Sequence, residues 1–359
     1  MISPARQVAF DVLRKVQQRG YASDLLLQRS AQLDSRDAGL ASEIVFGCLR
    51  YQVQLDYLIA RRVPRPPEAE VRIALRMGIY QLRYLDRIPP HAAVGESVEL
   101  VKRAHKASAA GLVNAILRKT DRTPVPWPDR ATDLSMPAWL LERWDRQFGK
   151  QTANRIAASF LEPAETTVAS TGRIQDVGAQ SIVPFLDLHP GQTFLDLCAA
   201  PGNKTAQAIE CGVRAVACDI HLHRLRQMRD LNCSLVVLDG TQPLPFRSKF
   251  DRILVDAPCS GTGTLGRNPE IKWRLKPSDL VDLHAKQVAL VRHALEHLCP
   301  GGRLVYSTCS LEKEENEQVI EEIGGSWQTS QRLPGLNPGD GFFVAILTDP
   351  EPRREGAVR

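Results

Sequence analysis

The sequence predicts an all-α helical bundle followed by a doubly wound α/β domain. Up to about residue 120 the apolar residues recur at helical spacing with no strand pattern. From Gln180 onward short apolar strands alternate with helical segments, the pattern of a mostly parallel sheet. A third observation locates a ligand crevice. The stretch Phe194-Leu-Asp-Leu-Cys-Ala-Ala-Pro-Gly-Asn-Lys-Thr205 reads as strand, tight turn and helix start. Such a unit holds a nucleotide-like ligand at the carboxyl end of a first strand.

A chain of 359 residues suffices for two domains with sizeable cores. Its 43% hydrophobic and 24% charged content is that of an ordinary globular protein. No apolar run approaches the roughly 20 residues needed to cross a bilayer, and no apolar signal-peptide core is present, so the expectation is cytoplasmic. The eight cysteines form no spaced framework and no Cys-x-x-Cys pair, which argues against disulfides and against a metal site. The net charge of +5 is compatible with an RNA partner.

Within the first half, Ser3-Pro4 supplies an N-cap and first-turn pair, and Val8, Ala9, Val12, Leu13 and Val16 make the stripe of an amphipathic helix. A second helix is expected over Ser23–Leu33. A third is capped by Ser35 and continues through Leu55, Leu58 and Ile59 to the Pro64-Arg-Pro-Pro67 break. Val71–Leu85 is too apolar for a surface helix and belongs at the centre of a bundle. Helices near 91–106 and 108–119 complete it. Arg61, Arg62, Arg65, Arg72, Arg76, Arg83, Arg87, Lys102, Arg103 and Lys106 are either phosphate contacts or solvated faces paired with Glu68, Glu70, Asp86 and Glu99.

Residues 123–128 read as a proline-rich linker. Met136–Phe160 is again helical, with Trp139, Leu140, Trp144 and Phe148 as core. Strands are expected at Gln192–Cys198, Arg214–Cys218, Ser234–Leu238, Phe250–Val255, Arg303–Ser307 and Phe342–Leu347, with a long helix over Pro277–Leu298.

Asp196, Asp219, Asp239 and Asp256 each fall at or just past a strand end, where an open α/β sheet gathers its ligand. Asp219 stands at about the spacing at which an acid meets ribose hydroxyls. Neither Gly-x-Gly-x-x-Gly nor a Gly-Lys-Ser/Thr loop is present, so nothing prepares the site for a pyrophosphate. A ligand with ribose and adenine but no phosphates fits, and S-adenosylmethionine is one.

Two further motifs, Asp256-Ala-Pro-Cys-Ser-Gly261 and Ser307-Thr-Cys-Ser310, end in polar surroundings where a thiolate could act. Carbon 5 of cytosine is a poor nucleophile until a thiolate adds at carbon 6, so a cysteine could split that reaction into easier steps. Spacing alone does not say whether Cys259 or Cys309 attacks. Cys48, Cys198, Cys211, Cys218, Cys233 and Cys299 read as structural.

These motifs carry a resemblance. Arg6-Gln-Val-Ala-Phe-Asp-Val-Leu, Arg76-Met-Gly-Ile-Tyr-Gln-Leu and Gly111-Leu-Val-Asn-Ala-Ile-Leu-Arg118 resemble the NusB-type RNA-binding fold. Leu197-Cys-Ala-Ala-Pro-Gly-Asn-Lys-Thr, Asp256-Ala-Pro-Cys-Ser-Gly-Thr-Gly and Tyr306-Ser-Thr-Cys-Ser-Leu-Glu-x-x-Glu-Asn-Glu resemble the Sun/Nop family of RNA cytosine-C5 methyltransferases. The resemblance implies a NusB-like bundle at 1–122, a short connector at 123–174, a Rossmann-like S-adenosylmethionine methyltransferase domain at 175–349 and a tail at 350–359. It implies a monomer acting on bacterial 16S ribosomal RNA, with transfer RNA or a non-catalytic assembly role as alternatives.

By the same resemblance Cys309 is the nucleophile and Cys259 aids product release. Cys198, Ala199, Ala200, Pro201, Gly202, Asn203 and Lys204 cradle the cofactor, Asp219 binds its ribose, Asp239 lies by the adenine, and Asp256 faces its methyl end and the target base. Two departures stand out. Family members carry Gly where this chain has Asn203, a residue that tolerates a left-handed turn. A β-containing segment expected before Gln175 is also cut to about a dozen residues here. Arg267, Asn268, Lys272 and Arg274 are expected to be phosphate or base contacts or a solvated loop, and Glu312–Glu317 to be helix-start charge.

Overall fold

The computed structural model describes residues 2–18 and 20–348, so the expected tail at 350–359 lies outside the described residues. The chain divides into two compact units. One runs to Pro163 and also takes in Leu265–Arg274; the other comprises Ala164–Thr264 and the chain from Leu275.

The first unit is helical: α1 (Pro4–Val16), α2 (Ala22–Arg29), α3 (Ser35–Arg50), α4 (Gln52–Ala60), α5 (Ala69–Tyr84), α6 (Pro90–Arg103), α7 (Ala110–Arg118), α8 (Arg130–Asp133), α9 (Ala138–Phe148) and α10 (Lys150–Ser159). As its composition predicts, α5 is central, with Ile73, Ala74, Leu75, Met77 and Ile79 essentially unexposed. Gly47 lets α3 approach it, because a Cβ there would sit 1.9 Å from Tyr80 Cζ.

Three local expectations shift. The hydroxyl of Ser3 donates to Glu96 at 2.7 Å instead of capping α1. Asp34, not Ser35, caps α3 by accepting from Asp37 N–H. The expected single helix from Ser35 to Ile59 breaks at Tyr51, whose ring packs 4.4 Å from that of Tyr84.

Several basic residues named as candidate phosphate contacts are paired with acids of the helical unit. The Arg76 guanidinium donates to both carboxylate oxygens of Asp56, at 2.7 and 2.6 Å. Lys102 pairs with Glu99 and Lys106 with Glu68, the partners that the solvated-face reading names.

The second unit holds a seven-stranded sheet built from β1 (Thr193–Asp196), β2 (Arg214–Asp219), β3 (Ser234–Val237), β4 (Phe250–Asp256), β5 (Leu298–Thr308), β6 (Gln328–Arg332) and β7 (Phe342–Thr348). The order is β3-β2-β1-β4-β5-β7-β6. All neighbours up to β5 are parallel, while β7 is antiparallel to both β5 and β6. The helices are α11 (Val177–Gln180), α12 (Asn203–Ile209), α13 (Leu222–Leu225), α15 (Pro277–Glu296) and α16 (Glu317–Ile323); α14 (Ile271–Arg274) belongs to the helical unit.

Sequence reading missed β6. Its residues Gln-Thr-Ser-Gln-Arg carry no apolar alternation, because it is an edge strand bonded only to β7. The order reverses at β1 and β4, so the carboxyl ends of those strands flank the switch-point crevice.

Candidate functional site

The site is assembled from strand ends. Asp196 closes β1, Asp219 closes β2, Asp239 follows β3, Asp256 closes β4, and Cys309 follows β5. A cavity of about 540 Å³ at these ends is lined by Cys198, Asp219, Asp239, Asp256, Cys259 and Cys309, with Leu197, Ile220, Leu238, Leu283 and Leu290 as apolar wall.

The turn after β1 depends on Gly202, which takes φ +97°, and a Cβ there would lie 2.7 Å from Met228 Cγ. Asn203 does not adopt the left-handed conformation considered for it; it is the first residue of α12. Its side chain serves another purpose. Asn203 Oδ1 accepts from Arg173 Nε at 2.8 Å, and its Nδ2 donates to the Ile174 carbonyl at 3.1 Å. Arg173 also donates to the Pro201 carbonyl at 2.9 Å. Arg173 sits on a minimal hairpin closed by the Val168–Ile174 bridge, in the dozen residues where a longer β-containing segment is expected.

Lys204 Nζ donates to Asp256 Oδ2 at 2.6 Å, and Ser307 Oγ donates to Asp256 Oδ1 at 2.7 Å. Burial pulls the Lys204 ammonium down, but the Asp256 carboxylate outweighs it and leaves its pKa above the ordinary value. Asp196 is 1% exposed and bonded to Thr205 Oγ1 at 2.7 Å; burial pushes its carboxyl up to about 7. It lies beneath the cavity wall, not in it. Asp219 accepts from His221 N–H at 2.8 Å, and Arg224 donates to the Ala200 carbonyl at 2.8 Å, fastening the β2 end to the turn after β1. Asp239 accepts from the hydroxyl and amide of Thr241, which holds its carboxyl below the usual range.

The two motif cysteines meet. Cys259 Sγ and Cys309 Sγ are 3.2 Å apart. The hydrogen bond to Cys309 and then burial push the Cys259 thiol well above its ordinary pKa. Burial raises the Cys198 thiol likewise, which disfavours it as a thiolate.

What holds the two thiols together is a residue that sequence reading assigned to helix-start charge. Glu315 is 0% exposed, and its carboxylate accepts from Ser260 N–H at 2.7 Å, Ser260 Oγ at 2.5 Å, Ser310 Oγ at 2.5 Å and Gln287 Nε2 at 3.1 Å. Ser260 and Ser310 each follow one of the cysteines, so a single buried carboxylate ties both loops. Gln287 also donates to the Pro258 carbonyl at 2.9 Å, and Asn316 Nδ2 to the Ser310 carbonyl at 3.0 Å.

Lys272 is neither a phosphate contact nor a solvated cation. It is 2% exposed in the helical unit and donates to the carbonyls of Arg50 at 2.9 Å and Ser135 at 3.0 Å. Burial and the nearby Arg50 charge lower its pKa to about 7.

Among the described residues no cluster of His, Cys, Asp and Glu could hold a metal ion, and no helix is long and apolar enough to cross a membrane.

A sheet of order β3-β2-β1-β4-β5-β7-β6 with acids and paired thiols at its crevice, in a chain that also carries a helical unit, defines a Rossmann-like methyltransferase with an accessory bundle. The family described as 16S rRNA methyltransferase RsmB/F matches residues 183–327, and the NusB family matches residues 3–122. The chain is 30% identical to the probable ribosomal RNA small subunit methyltransferase B of Bacillus subtilis, over 88% of this chain and 87% of that protein. It is 31% identical to the corresponding Escherichia coli methyltransferase, over 95% and 98%.

The fold is shared with the crystal structure of PH0851 at TM-score 0.79 and 20% identity, over 97% of this chain and 99% of that one. It is also shared with a methyltransferase homolog protein from Pyrococcus horikoshii at TM-score 0.53 and 24% identity, over 62% and 100%. The chain therefore belongs to the ribosomal RNA small subunit methyltransferase B family, S-adenosylmethionine-dependent enzymes that act on ribosomal RNA.

Proposed function

We propose that this enzyme transfers a methyl group to carbon 5 of a cytosine in 16S ribosomal RNA through a covalent bond between Cys309 Sγ and cytosine carbon 6. The observation that carries the reading is the pair of thiols, 3.2 Å apart, on a cavity that they share with Asp219, Asp239 and Asp256. The donor set fits the cofactor. Asp219 and Asp239 can accept from ribose hydroxyls and the adenine amino group, Leu238 and Leu290 offer apolar surface to a ring, and no glycine-rich phosphate loop is present. We read Cys198–Lys204 as the backbone cradle for its methionine portion. S-adenosylmethionine supplies an electrophilic methyl group.

In this reading the Cys309 thiolate adds to carbon 6, and the displaced electron pair makes carbon 5 the nucleophile that takes the methyl group. A base then takes the carbon-5 proton, the C5–H electron pair re-forms the C5–C6 double bond, and the Sγ–C6 bond breaks to return the Cys309 thiolate. Cys259, 3.2 Å from Cys309, assists that release. Asp256, held by Lys204 and Ser307, is an acceptor suited to the exocyclic amino group of cytosine. The target base enters single-stranded or flipped out.

The chain's division follows the same reading, with a NusB-like unit at 1–122, a shortened connector at 123–174 and the methyltransferase domain at 175–349. Alignments with relatives run over 388 and 420 positions against 359 residues here, which fits relatives carrying a segment absent from this chain.

The test is methyl transfer from labelled cofactor to small-subunit ribosomal RNA, with transfer RNA as competitor. The wild type should yield 5-methylcytosine in ribosomal RNA. Cys309→Ala should neither methylate nor crosslink, and Cys259→Ala should accumulate a covalent RNA adduct. Label at any other atom, or preferential labelling of transfer RNA, contradicts the assignment.

A further inference from the structure

The helical unit contains a second cavity, of about 360 Å³, whose wall includes residues of α1, α3 and α5 together with Glu270, Trp273 and Arg274. Methyl transfer uses none of these residues, and the volume is that of a small-ligand pocket.

Its polar groups are incompletely paired. Glu270 is 1% exposed, and its Oε1 accepts from Ala22 N–H at 2.9 Å with the Arg274 guanidinium 3.7 Å away. Its Oε2 is buried and has no hydrogen-bond partner. On the same wall, Arg72 Nε is also buried without a partner. Arg76, by contrast, is occupied by Asp56. Both side chains border the cavity, and a buried acceptor and a buried donor without partners are unfavourable in the free protein, so a guest that reaches and satisfies both gains affinity from each. The third element is flat: the Trp273 indole lines the cavity, fixed by its N–H donating to the Leu49 carbonyl at 2.8 Å.

The guest must present a hydrogen-bond donor edge to a carboxylate, an acceptor to a guanidinium N–H, and a planar face to an indole. Of the RNA bases, guanine alone offers adjacent N1–H and 2-amino donors on one side and O6 and N7 acceptors on another. Cytosine and adenine set a ring-nitrogen acceptor beside their amino group, which a carboxylate repels. Uracil flanks its single N–H with two carbonyls. RNA-binding proteins commonly take up unpaired bases by such stacking and edge contacts.

We infer that this cavity takes an unpaired guanine of the RNA substrate, with Glu270 accepting from its N1–H and 2-amino edge, Arg72 donating to its acceptor edge, and Trp273 against its plane. The inference rests on the family's RNA substrate and not on the cysteine chemistry.

It is tested by calorimetric titration of the full chain with guanosine, inosine and cytidine 5′-monophosphates. Saturating S-adenosylhomocysteine is included to keep mononucleotides from the other cavity. Guanosine monophosphate should bind about ten-fold tighter than the inosine compound, which lacks the 2-amino group, in keeping with the worth of one such contact. Glu270→Gln should abolish that preference. Should that variant not fold, Arg72→Lys should instead weaken guanosine monophosphate binding several-fold while leaving inosine discrimination intact.

Absence of binding at millimolar guanosine monophosphate, equal binding of the inosine compound, or discrimination that survives Glu270→Gln overturns the proposal. Guanine binding by a protein that transfers no methyl group would overturn the cysteine mechanism alone.

Discussion

Replacing Glu315 by glutamine tests how the two thiols are positioned. The carboxylate takes four hydrogen bonds, two from Ser260, one from Ser310 and one from Gln287. An amide can keep its oxygen toward Ser260 N–H and Gln287, but its NH₂ then faces the two hydroxyls, which must turn round to accept. All four bonds lose their charged acceptor and two of them must reverse direction, while the charge no longer has to be buried, for a net loss of about 1–3 kcal/mol. Glu315→Ala leaves all four donors without their acceptor, and the loss rises to about 4–8 kcal/mol, a large part of a domain's stability.

The loops carrying Cys259 and Cys309 are then no longer held in common. A displacement on the order of 1 Å costs about 10²-fold in rate. Urea denaturation should show the graded loss of stability, and single-turnover methyl transfer should show Glu315→Gln about 100-fold slower at saturating cofactor, with cofactor affinity little changed. A Glu315→Gln enzyme within three-fold of wild-type rate, or a stable Glu315→Ala protein, would refute this account of the buried carboxylate.

Other outcomes follow from the same structure. The folded pKa of Lys272, about 7, lies below the roughly 10.4 of an unfolded lysine, so the unfolded chain holds an extra proton between those values. Stability should therefore rise from pH 7 towards pH 10, by up to about 1.4 kcal/mol per unit, and urea midpoints of Lys272→Met should lose that component. Asp196 has the opposite sign. Its folded pKa of about 7 exceeds the roughly 3.9 of an unfolded aspartate, so its contribution falls as pH rises from about 4 to 7, and Asp196→Asn should be the more stable protein above pH 7 in the same assay. Arg173→Ala should raise the KM for S-adenosylmethionine several-fold with little effect on kcat, and should be non-additive with Asn203→Ala, since the two side chains share one contact.

The sequence made the strand ends legible because buried parallel strands are short apolar runs and their terminal acids stand out at regular intervals. Asp196, Asp219, Asp239 and Asp256 fall where that pattern sets them, and Cys259 and Cys309 come together because β4 and β5 are neighbours. What stayed hidden was non-local. Nothing in Glu312–Glu317 distinguishes a solvated acid from Glu315, whose partners lie 55 and 28 residues away in Ser260 and Gln287. The basic character of Arg267–Arg274 leaves phosphate or base contacts and a solvated loop as alternatives, yet the segment packs into the helical unit, with Lys272 bonded to a carbonyl 222 residues away. Asn203 does not take the left-handed turn considered for it. Gly202 absorbs the left-handed turn and frees Asn203 to hold Arg173.

Cys309, and not the thiol 3.2 Å from it, is the proposed point of attachment to the target cytosine. RNA carrying 5-fluorocytidine cannot lose a proton from carbon 5, so the adduct formed during methyl transfer is trapped and its peptide can be mapped by mass spectrometry. A cofactor-dependent, methylated adduct is expected on the peptide containing Cys309, retained in Cys259→Ala and lost in Cys309→Ala. An adduct on the Cys259 peptide, or one that persists in Cys309→Ala, would contradict that attachment.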